Sequence, residues 1–295
     1  MKFRYTCSGS WFRGNPHTHT SMSDGGRGLQ EVRDLYKSCG YDFLFITDHN
    51  YAEETSGYCI DGFLVLPGIE IDGTDSDKSY YHILGLDFKN AYDPDTPLEE
   101  GIELLFNTGA VVILAHPHWS NNSFDDCLKY PFHGIEIYNY IGHTMNGKSS
   151  GLPHWDIMLS RGKVVLGFAS DDAHLTDRHP HYGGGWITVN APALTADHVM
   201  AAVRSGNFYS STGPELKNIS LTDNTIYIET SPVEFIRLVG HNGYASFAFA
   251  EQDTPLTSWK WPLSNINTSE KFRKQLRIEI EDSSGKRAWT NTLFV

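Results

Sequence analysis

Cysteine is scarce and scattered. The chain has four, Cys7, Cys39, Cys59 and Cys127. No two stand at C-x-x-C spacing, which argues against a disulfide scaffold and a thiolate zinc site. Reduced cysteines in a cytoplasmic protein are the expectation. No apolar run approaches the ~20 residues that a membrane span needs. The opening Met1-Lys-Phe-Arg-Tyr-Thr-Cys-Ser-Gly-Ser has no apolar signal core, so neither a membrane partner nor secretion is expected. Positive charge is also short: 23 Lys and Arg against 36 Asp and Glu give a net charge of −13. A sequence-neutral nucleic-acid binder needs clustered Lys and Arg to displace counterions. With no basic run, nucleic acid is disfavoured as a partner.

Apolar mass is not short. Of 295 residues, 40% are hydrophobic and 20% charged, with 16 Phe, 15 Tyr and 7 Trp. That is a globular composition with a sizeable core. At roughly 150 residues per domain, it accommodates one large domain or two unequal ones. Histidine is abundant: 14, more than the 12 Lys or the 11 Arg, and twelve of them lie at or before His181. Histidine is the commonest metal-ligating side chain and the usual acid or base near neutrality, so chemistry is expected in that part of the chain.

Two regions differ in texture. From Phe43 to Ala169, short apolar runs end in polar residues able to bind metal: Phe43-Leu-Phe-Ile-Thr before Asp48-His49, Phe63 to Ile69 before Glu70, Val111 to Ala115 before His116, Gly134-Ile135 before Glu136, and Val164 to Ala169 before Ser170-Asp171-Asp172-Ala173-His174, while His82 opens Ile83-Leu-Gly-Leu. Continuous apolar runs of this length suit buried parallel strands. Between them Leu29, Val32, Leu35, Tyr36 and Cys39 share one helical face that Gly40 is placed to end. Leu98, Ile102, Leu105 and Phe106 make a second such stripe, Trp155, Met158 and Leu159 a third, and Leu194 to Val203 a fourth. Strand then helix, repeated, predicts an α/β barrel or a doubly wound sheet. Polar strand ends favour the barrel, whose sites are built on that rim.

After about Gly213-Pro214 the runs shorten and alternate: 219–221, 226–229, 235–239, 247–249, 276–281 and 289–294. They predict a small antiparallel β-sandwich-like domain, giving domains of 1–212 and 213–295. Glu251 to Ser269 reads as a long loop. The one histidine of this region, His241, sits in a Gly-His-Asn-Gly turn and is expected to carry no chemistry.

His17-Thr-His19 puts two imidazoles on one side of an extended segment. Each other polar strand end has an ordinary explanation by itself: Asp48 and His49 as helix caps, Glu70 as a solvated charge, His82 as a core histidine. Their recurrence at one strand end after another does not. The set His17-x-His19, Asp24, Thr47-Asp48-His49, Gly68-Ile-Glu70, His82, Ala115-His116-Pro117 and Asp172-x-His174 resembles the PHP family, the polymerase and histidinol phosphatase domains, across about residues 14–212. Gly134-Ile-Glu-Ile-Tyr-Asn139, Trp155-Asp156 and Phe208 to Pro214 resemble the PHP phosphoesterases that carry a C-terminal β domain.

The resemblance implies a distorted (β/α)7 barrel with two or three divalent ions, Mn, Fe or Zn, at the strand C-terminal rim. It implies that His17, His19, Glu70 and Asp172 hold one ion, that Glu70 bridges to a second held also by His82 and His116, and that Asp24, His49 and His174 hold a third. Asp24 stands where many members have His; aspartate favours Mn or Fe over Zn there. About three protein ligands per ion leave room for water and substrate. Two ions roughly 3.5–4 Å apart can share a hydroxide and clamp a phosphoryl oxygen.

The remaining candidates rest on position. Asp171 either orients a ligand or is solvated. His118 is placed to contact substrate or to protonate the leaving oxygen, with His179 and His181 competing for the acid role. Arg27, Lys148 and Arg178 are candidates for the phosphate, against the alternative of plain surface cations. Asp156 either supports the site or sits on a helix. The expected function is hydrolysis of a small phosphorylated metabolite or nucleotide by a metal-dependent phosphoesterase. The alternatives are an exonuclease-like PHP activity, amidohydrolase-type hydrolysis, and a non-catalytic metal-binding module. A degenerate module would have gaps in the ligand set, and this chain has all nine.

Overall fold

The computed structural model describes residues 2–240, 244–251, 254–266 and 269–295. His241 lies outside the described residues. Strands β1 (Ser10–Asn15), β2 (Phe43–Ile46) and β3 (Leu64–Thr74) pair in parallel, and so do β5 (Val111–Leu114), β6 (Gly134–Asn139) and β7 (Leu166–Ser170). Between the two sets β4 (Tyr80–Leu86) runs antiparallel to both β3 and β5. The expectation of parallel strands therefore fails at β4, because a short turn after Thr74 leaves only room for a hairpin and not for a crossover helix.

Period-two alternation sets the layers. Phe43 and Phe45 pack inward with Leu66, Leu84, Val111, Ile113, Phe168, Ile187 and Phe208. Leu44 and Ile46, between them, pack outward with Val32 and Tyr36 of helix α1 (Leu29–Ser38). Val112 and Leu114 face outward too, onto Ile102 and Leu105 of α2 (Leu98–Asn107) and Trp155 and Met158 of α5 (Leu152–Ser160). Short helices α3 (Phe124–Lys129) and α4 (Tyr140–Asn146) follow β5 and β6. The sheet thus curls around one apolar core with helices outside.

It does not close. The strand order is open, from β13 (Ala245–Phe249) at one edge through β9 (Phe208–Ser211), β8 (Trp186–Ala191) and β1 to β7 at the other, in a thirteen-stranded mixed sheet, so the expected distorted (β/α)7 barrel is corrected to an open, curled sheet. At the seam β7 has no ladder with β1; a single bridge joins Thr18 to Ala173. The Ser210 hydroxyl takes the place of ladder bonds, accepting from Ala169 N–H at 2.9 Å and donating to Gly167 O at 2.9 Å. Strands β8 (Trp186–Ala191) and β9 (Phe208–Ser211), joined by α6 (Ala196–Ser205), extend the sheet beyond β1 in antiparallel fashion.

The sheet continues through β16 (Arg287–Thr290), β15 (Arg277–Glu281), β12 (Phe235–Val239) and β13 (Ala245–Phe249). A second, three-stranded antiparallel sheet of β10 (Leu216–Thr222), β11 (Thr225–Val233) and β14 (Leu256–Pro262) shares a core with it: Ile219, Ile226, Ile228 and Trp261 pack with Ile236, Leu238, Ile278 and Ile280. β14 falls where a long loop was expected. Its residues 257–260 are exposed and give little apolar pattern, and its pairing with β11 is what makes it a strand. Tyr5 joins the same core, and Lys2 and Arg4 donate from their backbone N–H to Val295 O at 2.9 Å and Leu293 O at 2.8 Å. Arg277 is bonded to Asp156 of α5 at 2.6 Å and lies over the Trp155 ring, so Asp156 ties β15 to α5.

Candidate metal centre

The strand C-terminal ends converge on one cavity of about 450 Å³, lined by Asp24, His49, Glu70, Asp72, Tyr80, His82, His116, Trp119, Ile141, Met145, Asp172, His174 and His179. His17 and His19 follow β1, His49 follows β2, Glu70 lies in β3 and His82 in β4, His116 follows β5, and Asp172 and His174 follow β7. All nine residues named from the sequence fall into groups of three or four whose ligand-capable atoms lie within 4.8 Å of one another: His19, Asp24, His49 and His174; His17, His19 and Glu70; His17, His116 and Asp172; His49, Glu70 and His82.

Glu70 is 1% exposed, and its two oxygens face different rings. Oε2 lies 3.1 Å from His17 Nε2, 3.3 Å from His19 Nε2 and 3.5 Å from His49 Nε2. Oε1 lies 2.9 Å from His82 Nδ1 and 3.3 Å from His116 Nε2. Asp172 Oδ1 sits 3.0 Å from His19 Nε2 and 3.2 Å from His17 Nε2. Asp24 Oδ2 is 3.1 Å from His174 Nε2. His116 and Asp172 hold φ values of 23° and 53°, a left-handed strain that non-glycine residues keep where the surroundings over-determine them, as functional sites do.

Residues not singled out as ligands or catalytic groups hold these in place. Glu136, fully buried in β6, accepts from His17 Nδ1 at 2.8 Å, Ser170 Oγ at 2.5 Å, His116 N–H at 2.8 Å and Asn139 Nδ2 at 3.0 Å. It fixes the His17 tautomer so that Nε2 turns its lone pair to the cluster. Asn139 Nδ2 also donates to Asp172 Oδ2 at 3.1 Å. Asp48 accepts from Thr20 N–H and Oγ1, each at 2.7 Å, and from Ser23 Oγ at 2.6 Å, holding the turn that carries Asp24. Glu136 was visible in the sequence as a strand-end acid; its partners were not, being far apart in the chain.

The electrostatics fit a cation. Burial disfavours charge on His17, yet Asp172, Glu70 and Glu136 around it raise its ring well above the ordinary imidazole value. His49 and His174 are each raised to about 9 against burial, His49 chiefly by Glu70 and His174 by Asp24. Burial pushes Glu70 and Asp172 up, but the facing rings, His17 first, hold both well below the carboxylate range. The cavity is lined by no Lys or Arg among the described residues. His19 Nδ1 is buried without a hydrogen-bond partner, 3.6 Å from Asp24 Oδ1. His49 Nδ1 is likewise buried without one. A set of buried carboxylates and imidazole lone pairs with two orphaned nitrogens suits divalent metal, which competes with protons for such ligands.

The other candidates are placed apart from one another. His179 lines the cavity, and its ring is lowered by burial and by Arg178. His118, His181, Arg27 and Arg178 are exposed and outside the lining. Lys148, also outside it, donates to Asn121 Oδ1 at 2.6 Å. Asp171 is fully buried and is not solvated. It accepts from Gly183, Gly184 and Gly185 N–H at 2.7, 2.7 and 2.9 Å and from the Tyr36 hydroxyl at 2.8 Å, and burial raises its carboxyl. It pins the glycine loop that follows His179. A Cβ on Gly184 would meet the Tyr140 ring at 2.3 Å, and one on Gly185 the Ser170 carbonyl at 2.5 Å, so small residues are required there.

No family model and no curated protein sequence matches the chain. Among solved structures, a two-domain protein from Bacteroides vulgatus containing a predicted PHP-like metal-dependent phosphoesterase aligns over 88% of this chain and 88% of its own, with a TM-score of 0.56 and 13% identity. A candidate metal-dependent phosphoesterase from Bifidobacterium adolescentis covers 65% of this chain and 96% of its own, with a TM-score of 0.43 and 16% identity. An amidohydrolase from Chromobacterium violaceum, with bound sulfate and no metal, covers 61% and 92%, with a TM-score of 0.41 and 14% identity. The chain has a PHP-like fold. Among the described residues no helix is long and apolar enough to cross a membrane.

Proposed function

We propose that the protein is a divalent-metal-dependent phosphoesterase acting on a small phosphorylated metabolite or nucleotide. The convergence of nine His, Asp and Glu side chains, seven of them lining a single cavity and His17 and His19 buried behind it, carries this reading. Glu70, with rings on both oxygens, suits a bridging carboxylate. His17, His19 and Asp172 would share one ion with it, and His82 and His116 a second. Asp24, His49 and His174 would hold a third, with His19 close enough to join them. When bound, such ions lower the pKa of water and offset charge on a phosphoryl oxygen.

The chain's own residues do the rest. Glu136 and Asn139 keep His17 and Asp172 aimed. The three ligand carboxylates, Asp24, Glu70 and Asp172, are too few to neutralise three dications, which leaves the loaded site attractive to phosphate. His179 lines the cavity without belonging to a ligand group; it would give a proton to the leaving oxygen.

The test is phosphate release from a panel of phosphorylated metabolites by protein stripped of metal and then reloaded with Mn²⁺, Fe²⁺ or Zn²⁺. Single-turnover hydrolysis in ¹⁸O-labelled water should place the label on phosphate. A phosphorylated protein side chain trapped during turnover would contradict the reading, and release of an amine from an amide substrate with no phosphate release would move it to the amidohydrolases.

A further inference from the structure

Resting on the phosphoesterase reading, we propose that the cavity takes a monophosphate ester whose alcohol carries a flat apolar group, and that it discriminates against substrates with a second phosphate. Away from the ligand groups its lining is Trp119, Ile141, Met145 and Tyr80, with Asp72 and His179. Trp119 is held against the ligand wall, its ring edge-on to His116 at 5.1 Å and His82 at 5.5 Å between centroids. Ile141 and Met145 stand four residues apart on α4 and so share one helical face. Met145 is 44% exposed, an unbranched thioether open to solvent in the wall of a cavity, where it can adapt to an aromatic ring.

The helix is registered to the ligand cluster. Asn139 caps α4 by accepting from Gly142 N–H at 2.8 Å while its Nδ2 donates to Asp172 at 3.1 Å. One side chain therefore sets the distance between the apolar face and the proposed phosphate position. A volume of about 450 Å³ is toward the low end of small-molecule sites, roughly 300–1,000 Å³, which suits a metabolite and not a polymer.

Charge supplies the discrimination. No Lys or Arg among the described residues lines the cavity, and away from the candidate ligands its one carboxylate is Asp72. A second phosphate dianion reaching past the ions would lose water and meet Asp72 with no basic side chain in return.

The experiment compares kcat/KM of the Mn²⁺-loaded protein on 2-phenylethyl phosphate, propyl phosphate and propane-1,3-diol bisphosphate. All three are esters of primary alcohols, so leaving-group chemistry is similar. The phenylethyl ester should exceed the propyl ester about tenfold or more, and the bisphosphate should be the poorest. Met145→Ala and Trp119→Ala should each shrink the phenylethyl-to-propyl ratio. Met145 is a surface side chain, so its variant keeps the result readable if the Trp119 variant folds poorly. Equal rates on the two monoesters, a bisphosphate used as well as either, or an unaltered ratio in the Met145 variant, overturns this proposal and leaves the phosphoesterase reading standing. No phosphate from any of the three or from the metabolite panel, with metal bound, removes both.

Discussion

The carboxylate of Glu136 accepts from four donors and touches no solvent. Glu136→Gln keeps the shape but turns an amide NH₂ toward groups that are themselves donors. A buried donor left unpaired costs about 1–3 kcal/mol, and loss of an outer-sphere carboxylate typically weakens metal binding ~10–100-fold. Titrating the apo variant with Mn²⁺ and measuring its thermal midpoint should show both losses; unchanged metal affinity would remove Glu136 from the positioning role. Glu70→Ala should cost more, leaving the protein short of metal by elemental analysis, because both of its oxygens face candidate ligand rings. His179→Gln should slow esters with poor leaving groups far more than activated aryl esters, since only the former need the proton. Six of the nine candidate ligands, His49, Glu70, His82, His116, Asp172 and His174, were readable because they lie where an apolar run closes or opens; His17 and His19 were readable from their i, i+2 spacing, and Asp24 through the family resemblance. Trp119, Met145 and Ser170 were not: a Trp two residues past Pro117, a Met in a short helix and a strand-end Ser look alike in sequence whether they serve a site or not.

Elements were readable where periodicity was strong. The Leu29-Val32-Tyr36 face became α1, and Phe43-Leu-Phe-Ile became β2. What sequence hid was pairing. Nothing in Tyr80 to Leu86 says that β4 runs against its neighbours, and β14 is a strand only because β11 offers it an edge. The β3–β4 hairpin is tied to α3 through Asp75, which is 2% exposed and accepts from Lys129 Nζ at 2.7 Å, Ser79 N–H at 3.0 Å and Asp77 N–H at 3.0 Å. Burial alone pushes this carboxyl up, but Lys129 and Ser79 bring it below its ordinary value. A carboxyl depressed by folding stabilises the fold above its unfolded pKa, about 3.9, and that contribution is lost as pH falls through the folded value. Asp75→Asn should therefore be less stable than the parent at pH 7, with the difference narrowing as the pH drops below about 4. Urea midpoints measured across that range check the sign; a gap that widens in acid would refute it.

At the scale of the molecule, the change of texture near Gly213 was visible, and so was a second antiparallel sheet. The continuity of the large sheet through β9 and β16 was not, nor was the place of Lys2 to Tyr5 beside Leu293 to Val295, because that contact spans nearly the whole chain. Ending the chain at Thr212 should strip β16 from β9, uncover Tyr5 and leave Gly167 N–H without the Asn291 side chain that accepts from it at 2.8 Å. We expect insoluble or molten protein, read by loss of near-ultraviolet dichroism. Chelation of the intact protein should lower the melting midpoint and abolish activity, both restored by Mn²⁺, because a ligand that binds only the native state stabilises it.

The pairing of Lys2 and Arg4 with Val295 and Leu293 also bears on how the protein is made. Ribosomes build from the amino end, so every candidate ligand, up to His174, leaves the exit tunnel long before Asn291 and Leu293 exist. The opening strand edge has to wait for its partner through most of synthesis. A nascent chain paused short of Asn291 would hold its full set of imidazoles and carboxylates on an unfinished scaffold. Metal uptake is thus physically open during translation, before the fold is fastened, and a pulse of metal given to stalled ribosome complexes should be retained by chains long enough for His174 to have cleared the tunnel but ending before Asn291.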